Sequence, residues 1–358
     1  MYGVDSAWID FLTHGNQFRA RMQQLGFTLG NDMIKGTFGF NNNADYGGVY
    51  GSLLSTANGG ITYDFKPSIS MGLGYTSSLI SVGVGYNATI GTGHKGNGKS
   101  YNPVAHTPVL VLNAMDNAFR MAIPIQIYVN NEKYSEAMGG GKSDEMAVSV
   151  DSQFRYYTGL DALPQVRLYL RYGLYQNEEK ADKDAKKVKT KYAESFGFDF
   201  RLYFGSMVEE VALQPLVKLA YNKALGNYHT YTRVEAVNAM DGVSYSTTPT
   251  FYSGSVWDLQ LMTGLGLRAN SDIVSLYLEP QLGLSVTSDI PTVTDASVST
   301  RLTTETYFLA YNVYAEIYIT PLKNLEWYFE ASIGNVGVNT TGLAFAGTTG
   351  ITWYLPAL

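Results

Sequence analysis

The chain has no cysteine among its 358 residues. That excludes a disulfide framework and is compatible with export, although oxidising compartments more often favour disulfides. Charge is scarce: Asp, Glu, Lys and Arg make up 16%, against about 25% in an ordinary soluble domain. No basic excess exists either, because the formal net charge is −6, and this argues against nucleic acid as a partner. No run approaches the roughly 20 apolar residues that a membrane helix needs. The start, Met1 to Ser6, has neither a basic segment nor an apolar core, so any export signal is expected to have been removed already. The four histidines, His14, His94, His106 and His229, form no H-x-x-x-H spacing. Neither a metal centre nor a cofactor is expected, and no nucleophile–His–acid set that a hydrolase would need can be assembled.

Tyrosine and glycine are abundant, with 28 and 37 residues. Both suit strands, turns and bends better than helices. Hydrophobic residues (45%) are distributed with a period of two. Tyr307, Leu309, Tyr311, Val313, Ala315, Ile317 and Ile319 alternate with Asn312, Tyr314, Glu316, Tyr318 and Thr320, up to Pro321. Leu325, Trp327, Phe329, Ala331 and Ile333 oppose Glu326, Tyr328, Glu330 and Ser332. Similar faces occur around residues 80–90, 119–129, 166–174, 196–204, 257–268, 274–286 and 343–355. Many of these segments exceed the five or six residues of an average strand and approach the roughly nine to eleven of a tilted membrane strand.

Short connections are expected near Gly30–Asp32, Thr76–Ser78, Asn113–Ala118, Thr158–Leu163, Ser206–Glu210, Ala269–Ile273 and Thr320–Asn324. Longer polar stretches at Gly91–Val104, Asn130–Asp144, Gln176–Lys191, Asn222–Thr250 and Thr287–Thr303 are expected as loops. Short turns at one end and long loops at the other are the pattern of an outer-membrane barrel. Before residue 105, further strands are expected near Tyr46–Ser55, Gly59–Phe65 and Ser68–Tyr75. Ala7–Thr13 suits a first strand, while Trp8, Phe11, Leu12, Gly15, Phe18 and Met22 have helical spacing instead. The expected fold is all-β: a single transmembrane, antiparallel, up-and-down β-barrel of about 16–18 strands, whose apolar face meets lipid. Tyr172, Trp257, Tyr311, Trp327 and Trp353 are expected as interfacial aromatics.

A barrel this wide is expected to enclose water. Its inner faces carry basic residues in the first two thirds: Arg120, Arg155, Arg167, Arg171, Arg201 and Lys218. Acidic residues follow in the last third: Asp258, Glu279, Glu316, Glu326 and Glu330. These are the expected pore-lining basic and acidic walls, set opposite each other, with local pairing as the alternative. Gly93 to Ser100 matches G-x-x-x-x-G-K-S, but Tyr101-Asn102-Pro103 follows where a phosphate-binding loop needs a helix. It is expected to be a loop tip, as are Gly139-Gly140-Gly141 and the charged stretch Glu178–Lys191.

The run Trp8-Ile9-Asp10-Phe11-Leu12-Thr13-His14-Gly15-Asn16-Gln17-Phe18-Arg19-Ala20-Arg21-Met22, then Leu25-Gly26-Phe27 and Ile34-Lys35-Gly36-Thr37-Phe38-Gly39-Phe40, resembles the variable surface proteins (Vsp) of Brachyspira, intestinal spirochaetes. The resemblance implies an abundant, surface-exposed outer-membrane antigen with variable loops, within an oligomeric complex. It implies no catalytic or binding residues. The end Trp353-Tyr354-Leu355-Pro356-Ala357-Leu358 lacks the terminal Phe of proteobacterial barrels. The expected function is porin-like passive diffusion of small solutes combined with surface display. The alternative is a structural or adhesive barrel with a plugged lumen. Expected partners are outer-membrane lipid, copies of the same chain (a trimer by analogy with porins), small solutes and a host surface.

Overall fold

A period-two segment buries one face and exposes the other, and neighbouring segments of this kind share their backbone hydrogen bonds. The computed structural model describes residues 24–31, 33–42, 55–57, 60–62, 67–77, 79–90, 94–96, 99–101, 103–208, 211–225, 257–287, 292–295, 298–300, 306–334 and 344–353. Among them one sheet holds 18 strands. Three are short pieces of three residues each, and the other fifteen are long strands.

In chain order the long strands are β1 (Gln24–Gly30), β2 (Ile34–Asn42), β3 (Pro67–Thr76), β4 (Ile80–Ile90), β5 (Pro103–Ala114), β6 (Phe119–Tyr134), β7 (Gly140–Leu160) and β8 (Leu163–Asp182). They continue as β9 (Val188–Tyr203), β10 (Val211–Ala224), β11 (Trp257–Asn270), β12 (Val274–Thr287), β13 (Thr306–Leu322), β14 (Leu325–Gly334) and β15 (Ala344–Trp353). Each pairs antiparallel with the next, from β1–β2 to β14–β15. The topology is therefore the expected up-and-down meander. β1 and β15 end the sheet among the described residues.

The faces are inverted relative to a soluble protein. On β12, Leu276, Leu282 and Leu284 are exposed, Leu282 at 55%, whereas Glu279, Gln281 and Ser285 are buried. Leu73, Val84, Leu261, Leu309, Trp327 and Phe345 are likewise exposed on their strands. A soluble sandwich would bury these side chains against a second layer. Here the sheet instead curls around its polar face, so apolar side chains line the outside, where only hydrocarbon makes them favourable. Outward apolar runs such as Val166–Leu174 on β8 and Phe119–Val129 on β6 match the roughly nine to eleven residues that cross a bilayer.

The short turns lie where the sequence placed them. Met115, Asp116 and Asn117 turn β5 into β6 with positive φ of 56°, 53° and 65°, a conformation that Asp and Asn tolerate best. In the β1–β2 turn, Asn31 Oδ1 accepts from the Met33 and Ile34 N–H groups at 2.9 and 2.8 Å. The Ser206 turn differs, because Ser206–Val208 continues the ladder onto β10.

Two of the expected loops are mostly strand. β6 runs to Tyr134 and β7 begins at Gly140, so only Ser135–Gly139 forms a tip, around a 3₁₀ turn at Glu136–Met138. β8 runs to Asp182 and β9 begins at Val188. Beyond the membrane both faces of a strand are wet, and polarity alone resembles a loop there. Cross-strand bonds hold these extensions: Asn130 and Tyr175 donate to Glu145, each at 3.1 Å, and Ser143 donates to Asn177 at 2.9 Å. The strand expected at Ser68–Tyr75 is β3. Of the strands expected near Tyr46–Ser55 and Gly59–Phe65, the described residues are Ser55 and Gly60–Thr62, which belong to a small hairpin of Ser55–Ala57 with Gly60–Thr62; the rest lie outside the described residues. The expected strand or helix at residues 7–22 and most of loop 222–250 lie outside the described residues.

Replacing Leu282 by Arg is expected to lower the stability of the folded protein in lipid vesicles by about 2–4 kcal/mol, the cost of a cation near the lipid-facing midplane. Denaturant titration in vesicles reads it. A loss under about 0.5 kcal/mol, the ordinary range for surface changes, would mean that Leu282 does not face hydrocarbon.

Candidate functional site: a charged interior

The registers align five basic residues in one row. Arg120 is opposite Arg155, Arg155 opposite Arg167, Arg167 opposite Arg201 and Arg201 opposite Lys218. They come from β6, β7, β8, β9 and β10, in sequence positions that only the antiparallel pairing brings together. Arg171 lies on the same face of β8, four residues beyond Arg167, with Tyr169 between them. All six expected basic residues thus share the inner face.

The sequence reasoning missed the acids among them. Asp199 is 1% exposed and takes two bonds from Arg201, Nε to Oδ1 and a second guanidinium nitrogen to Oδ2, both at 2.9 Å. Lys218 Nζ stands 3.6 Å from Asp199 Oδ2, and Arg171 approaches it at 3.9 Å. Arg171 also donates to buried Asp151 at 3.2 Å. A charge this buried is tolerable only when paired and hydrogen-bonded. The available signal was D-x-R spacing: Asp199 and Arg201, two apart, must point to the same side of a strand.

Tyrosines complete the packing. Arg167 lies over the Tyr203 ring at 4.4 Å, Arg120 over Tyr157 at 4.8 Å and Arg201 over Tyr169 at 4.9 Å. Cations stack favourably on such faces. Asn113, Arg120, Gln153 and Arg155 line a small open pocket with Val111, Met121 and Ala122.

The expected acidic residues occupy the next four strands. Asp258 (β11) accepts from Asn222 at 2.7 Å. Glu279 (β12) accepts from the Tyr277 hydroxyl and from Gln281 at 2.5 Å. Glu316 (β13) and Glu330 (β14) are direct cross-strand partners, and the Tyr314 hydroxyl lies between them, 3.0 Å from Glu330. Glu326 on β14 is buried. The two sets therefore adjoin along the sheet, on β6–β10 and then β11–β14. Like charges set directly opposite repel; interleaved Asp and Tyr relieve this on β7–β10 and β12–β14.

The phosphate-loop match takes another form. His94–Gly96 and Lys99–Tyr101 make a β-hairpin, and the second arm continues onto β6. Lys99 pairs with Glu132 at 3.0 Å and lies 4.8 Å from the Tyr134 ring centre. The hydrogen bond to Glu132 holds the Lys99 ammonium above its usual pKa. No helix follows, so its backbone does not form a nucleotide cradle. Among the described residues, no group of three or more His, Asp or Glu is placed to hold a metal ion.

An up-and-down sheet with an apolar outside, a polar charged inside and strands of membrane-crossing length defines an outer-membrane barrel protein. The particular family follows from the sequence. Residues 1–354 match the model of the Serpulina hyodysenteriae variable surface protein, and the chain belongs to that family of surface proteins, as the N-terminal run led one to expect. No curated protein matches. Among solved structures, the translocator domain of autotransporter NalP from Neisseria meningitidis is 13% identical, with a TM-score of 0.34, covering 78% of this chain and 89% of that one. The β domain of the Bordetella autotransporter BrkA is 11% identical (TM-score 0.35; 78% and 100% covered). The siderophore receptor PiuA from Acinetobacter baumannii is 10% identical (TM-score 0.40; 85% and 49% covered). These likenesses are weak, and the topology rests on this chain's own strand pairing.

Asp199→Asn is expected to cost about 3–5 kcal/mol, the usual penalty for breaking a buried ion pair from one side. Adding Lys218→Met should recover part of it. Denaturant unfolding of the two variants provides the comparison; a near-neutral Asp199→Asn would contradict the pairing role.

Proposed function

We propose that this chain is a surface-display barrel: its strands anchor it in the outer membrane, its polar hairpins stand in the external medium, and its interior is closed to free diffusion by its own side chains. The observation that carries this is interior burial. Tyr203, Tyr328, Leu216, Met262 and Ala310, all inward on their strands, are at most 2% exposed. Side chains lining a wide, water-filled channel would remain wet. The interior therefore favours the plugged alternative over porin-like diffusion.

The external hairpins suit display. β6, β7, β8 and β9 continue past the apolar band as a charged, hydrogen-bonded projection. At the β8–β9 tip, Asp182 Oδ1 accepts from the Asp184 and Ala185 N–H groups at 2.8 and 2.7 Å, and Lys187 pairs with Glu178 across the hairpin. Such tips tolerate substitution without disturbing the anchor. Porin-like diffusion is the second reading, favoured by the open pocket at Asn113, Arg120, Gln153 and Arg155. No catalytic role is proposed, and association with further copies of the chain belongs to the same proposal.

In planar bilayers the purified wild-type protein is expected to give no stable conductance steps. Tyr203→Ala combined with Arg167→Ala, which thins the packed interior, is expected to introduce them. Discrete, long-lived steps from the wild type would overturn the closed-lumen reading in favour of diffusion.

A further inference from the structure

The basic row is compensated at only two of its five residues. Arg201 and Lys218 share Asp199, and Arg171 bridges Asp199 and Asp151. Arg120, Arg155 and Arg167 have no carboxylate within salt-bridge distance among the described residues. Arg120 donates to the Asn117 carbonyl at 3.2 Å, and Arg155 reaches the Gln153 amide oxygen only at 3.5 Å. Arg167 Nε is buried and has no hydrogen-bond partner.

Three guanidinium groups on adjacent strands, each opposite the next, repel one another. Neighbouring strands are about 4.8 Å apart, so the three rungs span roughly 10 Å. The uncompensated end of the row is also where the interior opens, since Arg120 and Arg155, the two residues beyond Arg167, line the pocket with Asn113 and Gln153. Planar guanidinium forks are matched to oxyanions, which they bind bidentately. Asn113 and Gln153 add neutral amides at the same level.

We propose that Arg120, Arg155 and Arg167 form a binding site for a soluble phosphate-bearing anion, just inside the short-turn end of the barrel. Its place follows from the turns: Arg120 comes immediately after the β5–β6 turn, Arg155 shortly before the β7–β8 turn and Arg167 shortly after it. The strand wall separates these inward side chains from lipid headgroups, so the phosphate comes from a solute. The row's length favours two linked phosphates over one. The site needs only the pocket and the register, and stands whether or not the lumen conducts.

The test uses the folded full chain in detergent micelles, with inorganic pyrophosphate and orthophosphate as probes. Titration calorimetry should show pyrophosphate binding more tightly than orthophosphate, weakening as salt rises. Arg120→Gln with Arg155→Gln should weaken pyrophosphate binding about tenfold or more, as charge-assisted bonds are lost. Lys187→Gln, on the external hairpin, should leave it unchanged. A second measurement needs no variant. Pyrophosphate should protect Arg155 of the wild type from an arginine-specific dicarbonyl reagent, while Arg268 stays reactive. Equal affinity in the double variant, or unchanged Arg155 reactivity, would overturn the site. Protection of Arg155 by anionic phospholipid micelles instead would overturn its assignment to a soluble ligand.

Discussion

The structure depends on one constraint: in hydrocarbon every backbone N–H and C=O must find a partner within the protein. Strands meet it by pairing with their neighbours, and among the described residues fourteen antiparallel pairings join the fifteen long strands in one meander. Period-two alternation then settles which side meets lipid. Leu282 and Leu284 point outward on β12 while Gln281 and Ser285 are enclosed, and a one-residue slip would reverse all four. That sensitivity fixes the register across the sheet.

Turning the apolar side outward obliges the protein to house its charges inside, where they are dehydrated. The interior resolves this with short-range partners. Asp199 draws Arg171, Arg201 and Lys218 together, tyrosine rings lie under the guanidinium groups, and Tyr314 stands between Glu316 and Glu330. An up-and-down sheet with polar hairpins beyond the bilayer suits a family of variable surface proteins, because exposed tips can change while the paired strands remain.

Much of this was legible in the sequence. Alternation from residue 105 onward located the long strands, their faces and most short turns, and the common side of the basic residues followed from parity alone. The hairpin extensions were not legible, because residues 130–144 and 176–191 are polar on both faces and a wet strand has no hydrophobic period. Nor was the pairing of Asp199 with Arg201 and Lys218. Sorting charges by thirds of the chain obscured an acid that neutralises its neighbours, and the row from Arg120 to Lys218 exists only once five registers are known. The adjoining positions of the two charge sets likewise depend on strand order and on how far each row extends.

The absence of native cysteine makes the central claim directly measurable. Single cysteines placed in turn at positions 281 to 285 of β12, labelled with a fluorophore in the vesicle-embedded protein, can be challenged with a lipid-borne quencher. The account predicts strong quenching at Leu282 and Leu284 and weak quenching at Gln281, Gly283 and Ser285. Uniform quenching along the strand, or the opposite alternation, would contradict it.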